Sequence, residues 1–164
     1  MDRNNSCFFT GHRKLPERKI EYITKILEIK IKNLIENNGV TNFIAGGALG
    51  FDTLAAKTVI RMKEEYPDIR LFLYLPCYNQ NKMWSYEEKY EWHMIMSKVD
   101  DYKYITKGNY TADCMKKRNF AMANDALYGL AYCVLSKSGT GMTMHYAEET
   151  GCIVDNIADE IYGE

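Results

Sequence analysis

The chain has 164 residues, of which 46% are apolar and 26% charged; this is enough for one well-buried core, and we expect residues 1–164 to form a single domain. Lys and Arg total 21 against 22 Asp and Glu, a net charge of −1, so no overall positive field attracts polyanions and we expect nucleic acid to be an unlikely partner. No apolar run approaches the roughly 20 residues of a membrane span and the polar N-terminus lacks a signal-peptide pattern, which predicts a cytoplasmic protein with no membrane partner.

Short apolar runs alternate with helical stretches along the chain. The predicted strands cover residues 7–10, 41–45, 69–75, 102–106, 130–135 and 153–157. The predicted helices run from Pro16 to Asn38, over 52–65, 86–98 and 112–126, and after the glycines at 139–141, and the acidic residues beyond the last strand form a solvated tail. This βα alternation predicts an α/β fold of three layers, with a doubly wound, Rossmann-like parallel sheet whose ligands bind beyond the carboxyl ends of the strands.

Cysteine and histidine spacing indicates neither a disulfide framework nor a metal site. The five cysteines are widely spaced without a C-x-x-C pair, and none of the three histidines has a second ligand at zinc-binding spacing. We therefore expect free thiols in a reducing compartment, no metal ion and no cofactor.

Glycine-containing turns follow three of the predicted strands. They are Thr10-Gly11-His12-Arg13, Gly46-Gly47-Ala48-Leu49-Gly50-Phe51-Asp52 and Ser136-Lys137-Ser138-Gly139-Thr140-Gly141. Short strand-to-helix connections often contain glycine for their own geometry. Because three such turns meet at one sheet edge, where glycine leaves backbone N–H groups open to an anion, we predict a ligand that carries phosphate.

The glycines do not form a standard nucleotide fingerprint. Neither G-x-G-x-x-G after the first strand nor G-x-x-x-x-G-K-[ST] occurs. The three turns resemble instead the YpsA-like branch of the SLOG superfamily, over about residues 6 to 154. Further residues carry the resemblance: Ala55-Ala56, Pro76 with Gln80 and Trp84, Tyr90, Arg118-Asn119 with Met122, and Tyr146-Ala147. The resemblance implies a Rossmann-like fold that binds nucleotides or nucleotide-derived ligands, shared with bacterial DNA-processing proteins and with the Lonely-Guy phosphoribohydrolases.

The resemblance also implies which residues surround the ligand. It makes Thr10, Gly11 and Arg13 one wall, Gly46, Gly47 and Gly50 a second wall, and Gly139 with Thr140, beside Ser138, the phosphate cradle. Arginine can direct two donors onto a phosphate, and the Thr140 hydroxyl can cap a helix or bind an oxygen.

Four further candidates each keep a second interpretation. Asp52 contacts a ribose hydroxyl or caps the following helix, and capping is favoured. His12 belongs to the site or is a solvated turn residue, which is favoured. Arg118 faces the ligand, as the resemblance implies, or lies on a solvated face with Lys116 and Lys117. Tyr78 is an open candidate for stacking on a base.

Two classes of function remain, separated by one carboxylate. The first is a sensor, carrier or sequestering module for a nucleotide-like small molecule, and the alternative is a nucleotide N-glycosidase. The Lonely-Guy enzymes carry Glu just after the glycine-threonine cradle, whereas here no carboxylate precedes Glu148, so binding without catalytic residues is favoured. Asp52, Asp100 or Asp125 could still supply an acid.

Two further possibilities concern larger partners. Binding of single-stranded DNA is a second alternative that needs a basic groove, for which only residues 116–118 are evident. A homodimer or higher homo-oligomer is open, because SLOG relatives often pair through flanking helices and Ile26 and Ile29 lie off the main apolar stripe of the first helix.

Overall fold

Six strands alternate with six α-helices in the computed structural model, which describes residues 1–163. The elements are β1 (Ser6–Gly11), α1 (Ile20–Asn38), β2 (Asn42–Ala45), α2 (Phe51–Met62), β3 (Arg70–Leu75), α3 (Tyr86–Met96), β4 (Asp101–Tyr104), α4 (Cys114–Asn124), β5 (Tyr128–Tyr132), α5 (Gly139–Glu149), β6 (Ile153–Asn156) and α6 (Ala158–Tyr162). The predicted order of strands and helices is confirmed.

The strands form one parallel sheet in the order β4-β3-β2-β1-β5-β6. The chain builds outward from β1 to β4 and then returns to the other side of β1, where β5 pairs with it. A reversal of this kind leaves a crevice beyond the carboxyl ends of the two strands that flank it. The fold is therefore the predicted Rossmann-like α/β fold, with its switch point between β1 and β5.

Helices cover both faces of the sheet because the side chains of its strands alternate between them. On β1, Cys7 and Phe9 belong to a core cluster shared with α1 and α2, whereas Phe8 belongs to a cluster shared with α4 and α5. Ile26 of α1 is buried in the first cluster, which leaves Ile29 as the exposed member of the pair singled out in the sequence.

The structure corrects two predictions in the C-terminal third. The strand predicted over 130–135 ends at Tyr132. The N–H of Cys133 donates to the side chain of Asn156, and the N–H groups of Val134 and Leu135 donate to His12, so none of the three continues the strand pairing. The predicted tail contains α6, whose first residue, Ala158, is buried beside Ile157. No helix within residues 1–163 is both long and apolar enough to cross a membrane.

Candidate functional site

A cavity of about 250 Å³ lies at the carboxyl edge of the sheet. It is lined by residues 10–13, Ala48 and Asp52, Met115, Arg118 and Asn119, and residues 138–140. We call it the carboxyl-edge pocket. The three turns predicted to meet at this edge thus contribute to one cavity, together with one side of α4.

Four of the predicted site residues do not line this pocket. Gly46 lies behind it, between Arg118 and Asp52, and Gly50 packs against the backbone of Arg13. Gly47 lies instead beside Leu75, Gln80 and Trp92. The fourth is Tyr78, which is 54% exposed and packs edge-to-face on Tyr104 with 4.8 Å between ring centroids.

Sequence reasoning missed three lining residues. Ala48 lies inside the second glycine turn, Asn119 follows Arg118, and Met115 lies one turn before it on α4. Met115 could have been found from the sequence, because residues at i and i+3 lie on the same face of a helix and Arg118 was already a candidate.

Arg118 is buried, with 4% of its surface exposed, so the solvated-face interpretation is wrong. Its Nη1 donates to the carbonyl of Gly46 and its Nε donates to Oδ1 of Asn119 at 2.8 Å. Its Nη2 lies 3.7 Å from Sδ of Met115. Burial, together with the positive charge of Arg13, lowers the pKa of Arg118, and the charge of Asp52 opposes that shift. An arginine remains protonated under such conditions, so the pocket contains a buried positive charge.

Asp52 is also buried, with 5% exposed, and it does not cap α2. The N-cap residue is Gly50, whereas Oδ2 of Asp52 accepts the N–H of Gly46 at 3.1 Å. Burial raises the pKa of Asp52, and the charge of Arg118 and backbone N–H groups oppose that shift. A Cβ on Gly46 would lie 2.7 Å from Oδ2 and would clash with the guanidinium, so glycine is required between these two side chains.

His12 is half-buried, and its ring is bonded to the backbone of another turn. Its Nε2 accepts the N–H of Val134 at 2.9 Å, and that of Leu135 lies at 3.4 Å. His12 is thus a partly solvated turn residue whose ring also joins the turn after β1 to the turn after β5. Burial lowers the pKa of His12.

The first turn of α5 forms the remaining wall. Ser138, not Thr140, caps the helix, because Oγ of Ser138 accepts the N–H of Gly141 at 3.1 Å. The N–H groups of Gly139 and Thr140 belong to the first helical turn, where backbone donors have no acceptor within the helix. A Cβ on Gly139 would meet nothing within 4 Å, whereas one on Gly141 would clash with the carbonyl of Ser136.

Most of the acids that could support hydrolysis lie away from the carboxyl-edge pocket. Glu148 lines a different cavity beside Asn156, and Glu149 pairs with His145 at 3.5 Å on the exposed side of α5. Asp100 pairs with Lys63, and Asp125 accepts from the hydroxyl of Tyr74. Among the acids considered in the sequence, Asp52 lines the carboxyl-edge pocket. Within residues 1–163, no three His, Cys, Asp or Glu side chains are grouped to hold a metal ion, and all five cysteines are buried thiols.

The sequence profile of the YspA SLOG family matches residues 8–148. The chain belongs to this family. The matched segment includes every turn that lines the carboxyl-edge pocket, as the resemblance in the sequence implies.

Two relatives show how far the similarity extends. A UPF0398 protein of Bacillus cereus is 32% identical over 111 residues, which cover 66% of this chain and 60% of that protein. The SPbeta prophage-derived protein YoqJ of Bacillus subtilis is 33% identical over 138 residues, covering 77% of this chain and 80% of YoqJ. The chain therefore spans about three fifths of the UPF0398 protein but most of the prophage protein.

Solved structures of DNA processing protein A share the fold. The protein from Helicobacter pylori, described as binding single-stranded DNA, has a TM-score of 0.65 at 14% identity over 93% of this chain and 64% of its own. The Streptococcus pneumoniae protein has the same TM-score and identity over 91% of this chain and 48% of its own. The expectation from net charge that nucleic acid is an unlikely partner is overturned by this likeness, because a protein with the same fold is described as binding single-stranded DNA.

Proposed function

We propose that the carboxyl-edge pocket binds the phosphate group of a nucleotide or nucleotide-derived small molecule. The observation that carries the proposal is the buried guanidinium of Arg118, which lines the cavity. Within residues 1–163, no carboxylate lies within 4.0 Å of it, and Asp52 compensates its charge only from across Gly46. A buried charge is costly unless it is paired, and a bound anion would supply the missing partner.

Other donors around the pocket suit the same ligand. Arg13 is exposed and reaches over Met115, whose Sδ lies 3.9 Å from Nη2 of the arginine. On the opposite wall, the N–H groups of Gly139 and Thr140 begin α5, where the helix dipole favours an anion. A phosphate between these walls would receive charge-assisted hydrogen bonds from two independent elements.

The rest of the pocket suits the sugar of a nucleotide. Asp52, Asn119 and Thr10 place a carboxylate, an amide and a hydroxyl among the lining residues, and each can bond to a hydroxyl group. A volume of about 250 Å³ lies just below the roughly 300 to 1,000 Å³ common for ligand pockets, so it suits a phosphate and its sugar, with the base extending outward.

Binding without hydrolysis is the activity we favour. Cleavage of a glycosidic bond needs a carboxylate free to stabilise positive charge at the sugar or to position water. Oδ2 of Asp52 already accepts from Gly46, and the carboxylate faces the charge of Arg118 from across Gly46 without an ion pair. The role this arrangement supports for Asp52 is to fix the second turn and bind sugar hydroxyls.

Thermal unfolding with and without ligand tests the proposal. Adenosine 5′-monophosphate and guanosine 5′-monophosphate are compared with adenosine and guanosine, which lack only the phosphate. A ligand at 100 times its dissociation constant adds about 2.7 kcal/mol to the free energy of unfolding, so a monophosphate should raise the midpoint while its nucleoside has little effect. Equal shifts with nucleoside and nucleotide would contradict a phosphate site.

Single-stranded DNA is a second candidate ligand, supported by two observations. One is the fold shared with DNA processing protein A. The other is that lysines adjoin the lining residues in sequence: Lys14 follows Arg13, Lys116 follows Met115 and Lys137 precedes Ser138. Exposed lysines therefore adjoin the pocket residues on three segments, although Arg118 of the cluster at 116–118 is buried. Binding of a labelled oligonucleotide that weakens steeply with added salt would support this candidate.

A further inference from the structure

His12 is bonded to both turns that flank its own. Its backbone carbonyl accepts the N–H of Phe51 at 3.1 Å, which links it to the start of α2. Its backbone N–H donates to the carbonyl of Tyr132 at 3.2 Å, and its ring accepts the N–H of Val134 at 2.9 Å. One residue therefore connects the three turns whose neighbouring residues line the carboxyl-edge pocket.

The ring makes its connection only in the neutral form. Nε2 accepts from backbone N–H groups, so the proton of the neutral imidazole is on Nδ1. Protonation would place a second N–H at Nε2, opposite the N–H groups of Val134 and Leu135. Two donors then face each other, and the segment leading to Ser138 loses its attachment to the turn after β1.

We propose that His12 is a positioning residue that holds the turn between β5 and α5 in its binding geometry when neutral and releases it when protonated. The proposal rests on the function assigned above to the carboxyl-edge pocket. Protonated His12 also adds a positive charge to the pocket wall, and the proposal requires the loss of turn geometry to outweigh it, so that affinity falls with pH even for an anion of constant charge.

The groups around His12 define the controls that are needed. Tyr132 of β5 lies edge-to-face with the imidazole, 6.0 Å between centroids, and its hydroxyl pairs with Tyr162 at 2.9 Å. Arg13 follows in the same turn, and Asp52 is the acidic residue of the first turn of α2. A histidine ordinarily titrates near pH 6.5, and burial lowers the pKa of His12, so the switch lies on the acidic side of neutrality. Asp52 could also titrate in acid because burial raises its pKa, so the experiment must separate the two groups.

The replacement His12→Gln provides that separation. Glutamine keeps an acceptor at about the reach of Nε2 and does not ionise, whereas His12→Ala removes the acceptor. Sulfate is the probe because its charge is constant between pH 5 and 8. We expect sulfate affinity of the parent protein to fall by about tenfold between pH 7.5 and 5, that of His12→Gln to stay flat, and that of His12→Ala to be low throughout.

Hydrogen exchange at the amides of Val134 and Leu135 gives a readout that needs no ligand. Protection of these amides, corrected for the intrinsic pH dependence of exchange, should fall by about tenfold in acid in the parent protein and stay constant in His12→Gln. The same loss in both proteins would overturn the positioning role and assign the effect to another group. If protection falls in acid as expected but sulfate does not bind at any pH, the proposed function is contradicted. The positioning role of His12 would then still stand.

Discussion

Arg118 is the side chain on which the charge of the carboxyl-edge pocket depends most. Replacing it with alanine should weaken binding of adenosine 5′-monophosphate by roughly tenfold to hundredfold, because a hydrogen bond to a charged group contributes about 1.5 to 3 kcal/mol. Isothermal titration measures the change. Lys117→Ala is the matched control, since Lys117 is exposed on the same helix and pairs with Asp113 at 3.3 Å. Equal affinities of parent and Arg118→Ala proteins would place the phosphate elsewhere.

Asp52 decides between binding and hydrolysis. We expect no free base when nucleoside monophosphates are incubated with the protein and separated by chromatography, because the carboxylate is buried and already accepts the N–H of Gly46. The Asp52→Asn protein should differ from its parent in affinity and in stability, and neither protein should release base. Multiple turnovers by the parent that disappear in Asp52→Asn would establish a phosphoribohydrolase instead.

Several residue roles depend on partners far away in sequence. The partner of Arg118 is Gly46, 72 positions away, and the ring of His12 bonds to a residue 122 positions away. Residue type and local spacing predict a cap for Asp52 and a solvated turn for His12, since these are their commonest local roles. The bond of His12 arises from strand order, and that of Asp52 from the path of the second turn, which returns Gly46 to the side chain six positions later.

At the scale of elements, two glycines of one turn have opposite requirements. A methyl group on Gly139 meets no protein atom within 4 Å, so Gly139→Ala should fold like its parent and bind nucleotide less well because the methyl group enters the phosphate cradle. In Gly141→Ala, the methyl group would clash with the carbonyl of Ser136, which should lower the free energy of unfolding by about 1 to 3 kcal/mol. Urea unfolding and titration with adenosine 5′-monophosphate distinguish the two effects. An unstable Gly139→Ala protein would contradict this assignment.

Sequence periodicity predicted the elements themselves better than their ends. All six strands and the five predicted helices exist, since alternation of apolar runs reports burial along the whole chain. The end of β5 at Tyr132 could not be predicted, because Val134 and Leu135 are apolar yet exposed. Because these side chains are apolar, the prediction carried the strand on to Leu135. In the structure, the backbone N–H groups after Tyr132 donate to Asn156 and His12 and not to a neighbouring strand.

For the whole molecule, the pocket is assembled from segments between residue 10 and residue 140. Ligand should therefore stabilise the protein against global unfolding rather than one local region. With adenosine 5′-monophosphate at 100 times its dissociation constant, the slowest-exchanging amides of β1 and β5 should gain about 2.7 kcal/mol of protection. Protection confined to the turns around Gly139 would indicate that the ligand orders a local segment alone.

Net charge described the whole molecule poorly. A formal charge of −1 averages over a chain whose acids and bases are unevenly placed, with Arg13, Lys14, Arg118 and Lys137 in or beside the lining segments. Local potential at a binding surface depends on those positions and not on the total. A formal charge near zero therefore does not describe the carboxyl edge of the sheet.

The position of β1 between β2 and β5 also bears on synthesis of the protein. A chain emerging from the ribosome presents the first wall of the pocket early, but the helix that completes it starts at Gly139, well over a hundred residues later. Until β5 emerges the central strand lacks one neighbour, and until α5 emerges the pocket that Arg118 lines lacks its last wall. If the proposed function holds, a bound nucleotide would stabilise only those chains in which β5 has joined the sheet.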